Sequence, residues 1–160
     1  MRVLLDTNIL LWALITPERL APDIRAMLET PATEVLFSAA SLWEIAIKAG
    51  LGRADFAVEP AEILAAALDS GFVELPVHSA AALRVMTLPP HHRDPFDRLL
   101  VAQAMSEPAI LYTADAQLAV YSELVRVLQQ ETSLRQISGN AKPDLRNSNQ
   151  WIKSHPRRNP

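Results

Sequence analysis

The sequence predicts an α/β fold, with a central, mostly parallel sheet of four to five strands and helices on both faces. Short, uninterrupted apolar segments are typical of strands buried on both faces. They alternate along the chain with longer segments of helical periodicity, and the joining loops are short, as in parallel α/β proteins. A chain of 160 residues with 49% apolar residues is long enough to form one domain with a core.

The first strand is the apolar segment 2–5, which ends at Asp6-Thr7-Asn8. The apolar residues 9–15 that follow predict a buried helix. Ligands of open α/β sheets bind outside the carboxyl ends of the strands, and Asp6 would stand there. The alternative is that Asp6 only caps the helix, a common role for Asp before an apolar segment.

Proline and glycine mark most of the later helix boundaries. Pro22, Pro60 and Pro95 suit first helical turns, while Gly50 and Gly71 suit helix ends. Further helices are predicted over 22–30, 42–49, 60–68, 79–86 and 96–105, with a short one from 116. Further strands are predicted over 35–37, 72–75, 109–112 and 125–128. The turn 38–41 would join the second strand to its helix, and the proline-rich segment 88–93 would be a loop.

Charge and composition limit the classes of function. Residues 1–128 hold 16 acidic and 9 basic residues (net −7), whereas residues 129–160 hold 2 and 6 (net +4). An acidic body does not bind nucleic acid by bulk charge, so metal ions or local basic residues would have to offset its acids. The change in composition predicts a domain over 1–128 and a C-terminal extension over 129–160, flexible from about 137.

Location is predicted from what the sequence lacks. It contains no cysteine, so disulfides and thiolate metal sites are excluded. No segment has the length and apolar content of a membrane span, and no signal-peptide pattern begins the chain. We therefore expect a cytoplasmic protein with no membrane association.

Four acidic residues occupy comparable places in the predicted topology. Asp6 and Asp115 follow strands, and Glu44 and Asp97 lie in the first turns of helices. If the first, second and fourth strands are parallel neighbours, these carboxylates converge at one end of the sheet. Such a cluster stays ionised only if a cation neutralises it, and a set of oxygen ligands favours Mg²⁺ or Mn²⁺. Carboxylates holding such ions suit phosphodiester hydrolysis.

The same residues carry a resemblance to a known family. The segments Asp6-Thr7-Asn8, Ser41-x-x-Glu44, 94–104 and Thr113-Ala114-Asp115 together resemble PIN-domain ribonucleases, in particular the VapC-type toxins of bacterial toxin–antitoxin pairs. The likeness covers residues 1–128, and the block 94–104 is its most specific part. Nothing transfers to the extension, because VapC-type toxins usually end near the last strand.

The resemblance implies a three-layer α/β/α fold and a Mg²⁺- or Mn²⁺-dependent endoribonuclease that cleaves cellular RNA. It implies metal binding and catalysis by Asp6, Glu44, Asp97 and Asp115. Asn8 and Thr113 would support the site by hydrogen bonds. It also implies a homodimer that a cognate antitoxin protein silences.

Several residues keep two interpretations. Asp94 suits an N-cap before Pro95, so Asp97 is the preferred metal acid, and Glu44 could instead only pair with Lys48 four residues on. Arg93, Arg98 and Lys48 are candidate RNA contacts, although Arg98 could simply cover its helix. His91 and His92 are expected to be exposed loop residues that touch RNA rather than catalyse.

Other functions remain open at this point. A phosphatase or receiver-type domain would use Asp6 as a phosphorylated residue, but such phosphatases usually have a second Asp two residues on, where this chain has Asn8. A PIN-like RNA-processing nuclease would act without an antitoxin. A PIN-like domain that has lost activity would be only a binding module, although the presence of all four acids speaks against this.

Overall fold

The computed structural model describes residues 1–52 and 56–128, and a five-stranded sheet lies at its centre. The strands are β1 (Arg2–Leu5), β2 (Glu34–Ser38), β3 (Val73–Leu75), β4 (Ile110–Thr113) and β5 (Val125–Val127). All neighbouring strands are parallel, and their order is β3-β2-β1-β4-β5. The predicted parallel sheet is confirmed, and the first, second and fourth strands are neighbours as the convergence of the acids requires.

Within the described residues, six α-helices connect the strands. They are α1 (Thr7–Ile15), α2 (Pro22–Glu29), α3 (Ala39–Gly50), α4 (Pro60–Asp69), α5 (Ser79–Arg84) and α6 (Pro95–Ser106). Helices α1, α3 and α4 pack together on one face of the sheet, and α5 packs on α6 on the other. The predicted α/β/α arrangement is therefore confirmed.

The first strand shows why this fold is stable. Val3 and Leu5 lie in the core on the α1 face, and Leu4 lies in the core on the α6 face. All three side chains are fully buried, because side chains alternate across a sheet that helices cover on both faces. This explains the uninterrupted apolar segment in the sequence.

Two predicted boundaries are wrong near β2. The residues 38–41 do not form a turn: β2 continues through Ser38, and α3 begins at Ala39. The Ser38 hydroxyl oxygen accepts the Ala40 N–H at 3.0 Å, so Ser38 ends the strand and caps the helix at once. At the other end, α3 includes Gly50, and the left-handed residue is Gly52, with φ of 64°.

Three further predictions concern the cap of α6, membrane spans and the C-terminal extension. Asp94 caps α6, as predicted, by accepting the N–H groups of Phe96 and Asp97. Within the described ranges no helix has both the length and the apolar character needed to cross a membrane. The predicted C-terminal extension, 129–160, lies outside the described residues.

Candidate active site

The four predicted acids occupy one end of the sheet. Asp6 directly follows β1, and Asp115 lies two residues beyond the end of β4. Glu44 lies on α3, which starts where β2 ends, and Asp97 lies in the first turn of α6. Helices α3 and α6 contact each other across this end, where the Trp43 and Phe96 rings meet edge to face at 5.2 Å.

Asp6 is buried, with 3% of its surface exposed, and its two carboxylate oxygens have different partners. Oδ1 accepts the Ile9 N–H at 2.7 Å, so the predicted capping role exists. Oδ2 accepts the Ala114 N–H at 3.3 Å, and the buried Thr113 hydroxyl donates to the same carboxylate. Burial nevertheless raises the pKa of Asp6, so the site favours a compensating cation.

Glu44 is held by donors on two sides. Its side chain is buried, with 8% of the residue exposed, and Oε2 accepts the Thr7 hydroxyl at 2.5 Å. The Lys48 ammonium lies 2.5 Å from Oε1, so the ion pair considered in the sequence is present. The sequence alone does not reveal this role of Thr7, because nothing in its position separates a hydroxyl that orients Glu44 from one that only begins a helix.

Asp97 lies in the electrostatic field of Asp94 and, more weakly, of Asp6 and Glu44. Burial and the neighbouring charges of Asp94, Asp6 and Glu44 raise the pKa of Asp97 to about 7, although His92 acts in the opposite direction. Burial and neighbouring negative charge therefore disfavour the ionised form of Asp97, and a bound cation would favour it.

The His92 ring lies between the carboxylates of Asp97 and Asp115. Its Nε2 lies 3.0 Å from Asp115 Oδ2, and its Nδ1 lies 3.6 Å from Asp97 Oδ2. One ligand atom from each of the three residues lies within 4.8 Å of the others. Asp115 is also oriented by Oδ1, which accepts the Gln117 N–H at 2.8 Å.

The sequence-based expectation that His92 is an exposed loop residue is wrong. Only 13% of its side chain is exposed, and its main-chain N–H donates to the Tyr121 hydroxyl at 2.7 Å. This long-range contact with Tyr121 folds the loop onto the site, and no local pattern in the sequence reveals it. His91, by contrast, is exposed, and its ring lies 5.6 Å from that of Tyr121.

The Arg98 side chain makes hydrogen bonds within the protein. Its guanidinium donates hydrogen bonds to the carbonyl oxygens of Pro89, Val85 and Leu88 and to the Tyr121 hydroxyl. Contact with RNA would compete with all of these bonds. Arg98 therefore has a structural role, the fixing of the loop before α6, and its contact with RNA stays a prediction.

The other predicted site residues differ in burial and in contacts. Thr113 is buried, and its hydroxyl oxygen also accepts the Asp115 N–H at 3.0 Å, so it links Asp6 to Asp115. Asn8 and Arg93 are exposed, and Lys48 is partly exposed beside Glu44.

The donor set fits a divalent cation. Four carboxylates supply the oxygen ligands that Mg²⁺ and Mn²⁺ accept in proteins, and one imidazole lies beside them. The raised pKa values of Asp6 and Asp97 mean that the negative charge lacks full compensation from the protein. A divalent cation would supply that compensation.

Comparisons with known proteins agree with this architecture. The chain matches the family model of the PIN domain over residues 3–124, which bears out the resemblance carried by the four sequence motifs. No curated protein sequence matches it. The structure is similar to a solved crystal structure of VapBC2 from Rickettsia felis bound to a DNA fragment from their promoter. The TM-score is 0.58 at 15% identity, covering 81% of this chain and 100% of that chain, and this likeness shows the fold alone.

Proposed function

This chain belongs to the PIN domain family, and on that premise we propose that it is a Mg²⁺- or Mn²⁺-dependent endoribonuclease acting as the toxin of a toxin–antitoxin pair. The observation that carries the proposal is that four acids lie at the carboxyl ends of the parallel strands, namely Asp6, Glu44, Asp97 and Asp115. PIN domains are generally metal-dependent nucleases, and such a cluster is their means of binding metal.

Each acid has a place in the proposed site. Asp6, Glu44, Asp97 and Asp115 would hold the cation, which supplies an activated water and neutralises charge on the phosphate. Thr113 orients Asp6 by its hydroxyl and also accepts the N–H of Asp115, so it sets the two carboxylates relative to each other. These bonds keep the carboxylates in place before substrate arrives, which limits the reorganisation needed in the reaction.

The RNA would approach over exposed basic residues beside the acids. Arg93 is exposed in the loop before α6, and Lys48 is partly exposed next to Glu44. Asn8 is exposed on the first turn of α1, and its amide would donate or accept a hydrogen bond there. The described body is otherwise acidic, so cleavage would depend strongly on the cation and would weaken as salt rises.

Two exposed apolar surfaces support the proposed protein partners. Trp43 and Ile47 lie four residues apart on α3, Leu51 directly follows that helix, and all three are exposed, Trp43 to 62%. We assign this stripe to a cognate antitoxin, because it borders Glu44 and Lys48 and a bound segment there would cover the site. Leu83 and Met86 form a second exposed apolar pair beside α6, which we assign to a homodimer contact.

The nuclease proposal is tested by incubating purified, partner-free protein with total bacterial RNA. The reactions contain Mg²⁺, Mn²⁺ or EDTA, and single-stranded DNA of matched length serves as the control substrate. We expect discrete RNA fragments with either ion, none with EDTA, and little cleavage of DNA. A folded protein that leaves RNA intact with both ions would favour the inactive binding module.

The toxin proposal is tested in cells. Induced expression should stop growth of a bacterial host, whereas Asp6→Asn expressed to the same level should not. Co-expression of a small neighbouring gene product that co-purifies with the chain should restore growth, and Trp43→Ser should weaken that restoration. Growth that continues while purified protein still cleaves RNA would instead support an RNA-processing nuclease without an antitoxin.

A further inference from the structure

We infer that His92 is a metal ligand, and that His92, Asp97 and Asp115 form a position that binds transition-metal dications such as Mn²⁺ in preference to Mg²⁺. This inference rests on the proposed metal-dependent function and refines it. It divides the acid cluster into an all-oxygen part around Asp6 and Glu44 and a part that contains nitrogen.

The distances within the group suit coordination. Adjacent ligands at right angles around an ion with bonds of about 2.1 Å lie about 3.0 Å apart. The distance from His92 Nε2 to Asp115 Oδ2 is 3.0 Å, and ligand atoms of His92, Asp97 and Asp115 all lie within 4.8 Å of one another. His92 and Asp97 lie five residues apart around the start of α6, and the tertiary fold brings Asp115, which follows β4, to them.

The protonation of the ring is compatible with ligation through Nε2. A neutral histidine that binds metal through Nε2 carries its proton on Nδ1, and a carboxylate usually accepts that proton. Asp97 Oδ2 lies 3.6 Å from Nδ1, so binding of Asp97 to the ion on Nε2 requires its carboxylate to turn to that side of the ring. The hydrogen bond that the Asp94 N–H donates to Nδ1 at 3.2 Å is given up in this form.

The position of the imidazole is set before metal binds. The Tyr121 hydroxyl accepts the His92 main-chain N–H, and it also accepts a hydrogen bond from Arg98, which anchors the surrounding loop. The ring is therefore held between two acids with 13% of its side chain exposed. Preorganisation of this kind reduces the entropy lost on coordination.

Metal preference follows from the chemistry of the ligands. Mg²⁺ is bound in proteins by oxygen, whereas an imidazole nitrogen suits first-row transition metals. The competing interpretation is that His92 only fixes the loop by donating from Nε2 to Asp115. The two interpretations differ in one observable property, which is whether nitrogen is bonded to the bound ion.

The test is pulsed electron paramagnetic resonance on the untagged, full-length chain loaded with Mn²⁺. We expect ¹⁴N modulation from a directly bound imidazole in the wild type and in His91→Gln, and its loss in His92→Gln. His91 is the matched control because it is the adjacent histidine and is exposed. Mn²⁺ bound without ¹⁴N modulation in the wild type would overturn the assignment while leaving the proposed nuclease intact.

Calorimetric titration of wild type, His91→Gln and His92→Gln measures their affinities for Mn²⁺ and Mg²⁺. His92→Gln should lower Mn²⁺ affinity at least about tenfold, since changes to metal ligands and their neighbours cost about 10–100-fold. Its Mg²⁺ affinity should change by less than about threefold. Equal losses for both ions would contradict the selective role of His92. Failure of the folded wild type to bind either ion would overturn both this inference and the proposed function.

Discussion

Replacement of Asp97 by Asn should stabilise the metal-free protein while abolishing its metal-dependent activity. At pH 8 the Asp97 carboxylate is ionised although it is poorly solvated and lies among other acids, which raise its pKa to about 7. Asn has nearly the same shape and carries no charge. The substitution therefore removes an unfavourable charge without leaving a cavity.

The size of the effect follows from the pKa. The difference between about 7 in the folded state and the ordinary 3.8 corresponds to an upper limit of about 4 kcal/mol. One quarter of the side chain is exposed, so solvent screening reduces this gain. Loss of a favourable charge at the start of α6 subtracts about 0.3–1 kcal/mol. We expect Asp97→Asn to raise the free energy of unfolding by about 1–2 kcal/mol at pH 8.

The pH dependence has a definite sign. The folded state keeps the Asp97 proton up to about pH 7, whereas the unfolded state releases it near 3.8, so this carboxyl lowers stability progressively between those values. The gain from Asp97→Asn should therefore be less than half as large at pH 5 as at pH 8. Above pH 7 it should no longer grow.

The assay is urea unfolding in EDTA at pH 5 and pH 8, followed by the same measurement with Mg²⁺. Asp23→Asn is the matched control, because Asp23 lies exposed in the first turn of α2 and its loss should lower stability by up to about 1 kcal/mol. Mg²⁺ at 100 times its dissociation constant should stabilise the wild type by about 2.7 kcal/mol and the Asp97 variant far less. A variant less stable than wild type at pH 8, or a gain independent of pH, would refute this reasoning.

Three further outcomes are expected. Thr7→Val removes the hydroxyl that orients Glu44, so RNA cleavage should fall about tenfold or more. The free energy of unfolding, measured by urea titration, should fall by about 1–2 kcal/mol. Unchanged cleavage would contradict the positioning role of Thr7. Arg98→Met leaves carbonyl groups of the loop before α6 without their donor and should lower that free energy by about 2–3 kcal/mol, whereas Arg93→Met should leave it within about 0.5 kcal/mol. Mg²⁺ must displace the Asp97 proton in order to bind. The Mg²⁺ affinity measured by calorimetry should therefore fall up to about tenfold for each pH unit below 7 and should be constant above pH 7. An affinity that does not change from pH 6 to pH 8 would count against Asp97 as a ligand.

Most of the fold could be predicted because local and tertiary preferences agree. The segment Arg2–Leu5 is apolar at every position but its first, as a strand covered on both faces requires, and Asp94-Pro95 places a cap and a first-turn proline together. The boundary at Ser38 could not be predicted, because one residue ends β2 and caps α3, whereas a strand and a helix are usually joined by a loop.

The candidate site was only partly predictable for a similar reason. The four acids could be grouped because their places relative to parallel strands depend on the order of elements along the chain. His92, Thr7 and Arg98 depend on side-chain contacts between distant segments, such as the one from His92 to Tyr121. Such contacts leave no periodicity or spacing in the sequence.

Cleavage of a mapped RNA fragment by wild type, Asp6→Asn and Glu34→Gln tests the account most directly. Glu34 is the matched control, since it is an acid at the opposite end of the same sheet, paired with Arg2 at 2.6 Å. We predict that Mg²⁺ or Mn²⁺ supports cleavage by wild type and Glu34→Gln at similar rates, and that Asp6→Asn loses at least about a hundredfold. Asp6→Asn protein that is folded and cleaves at the wild-type rate would contradict the assignment of catalysis to the acid cluster.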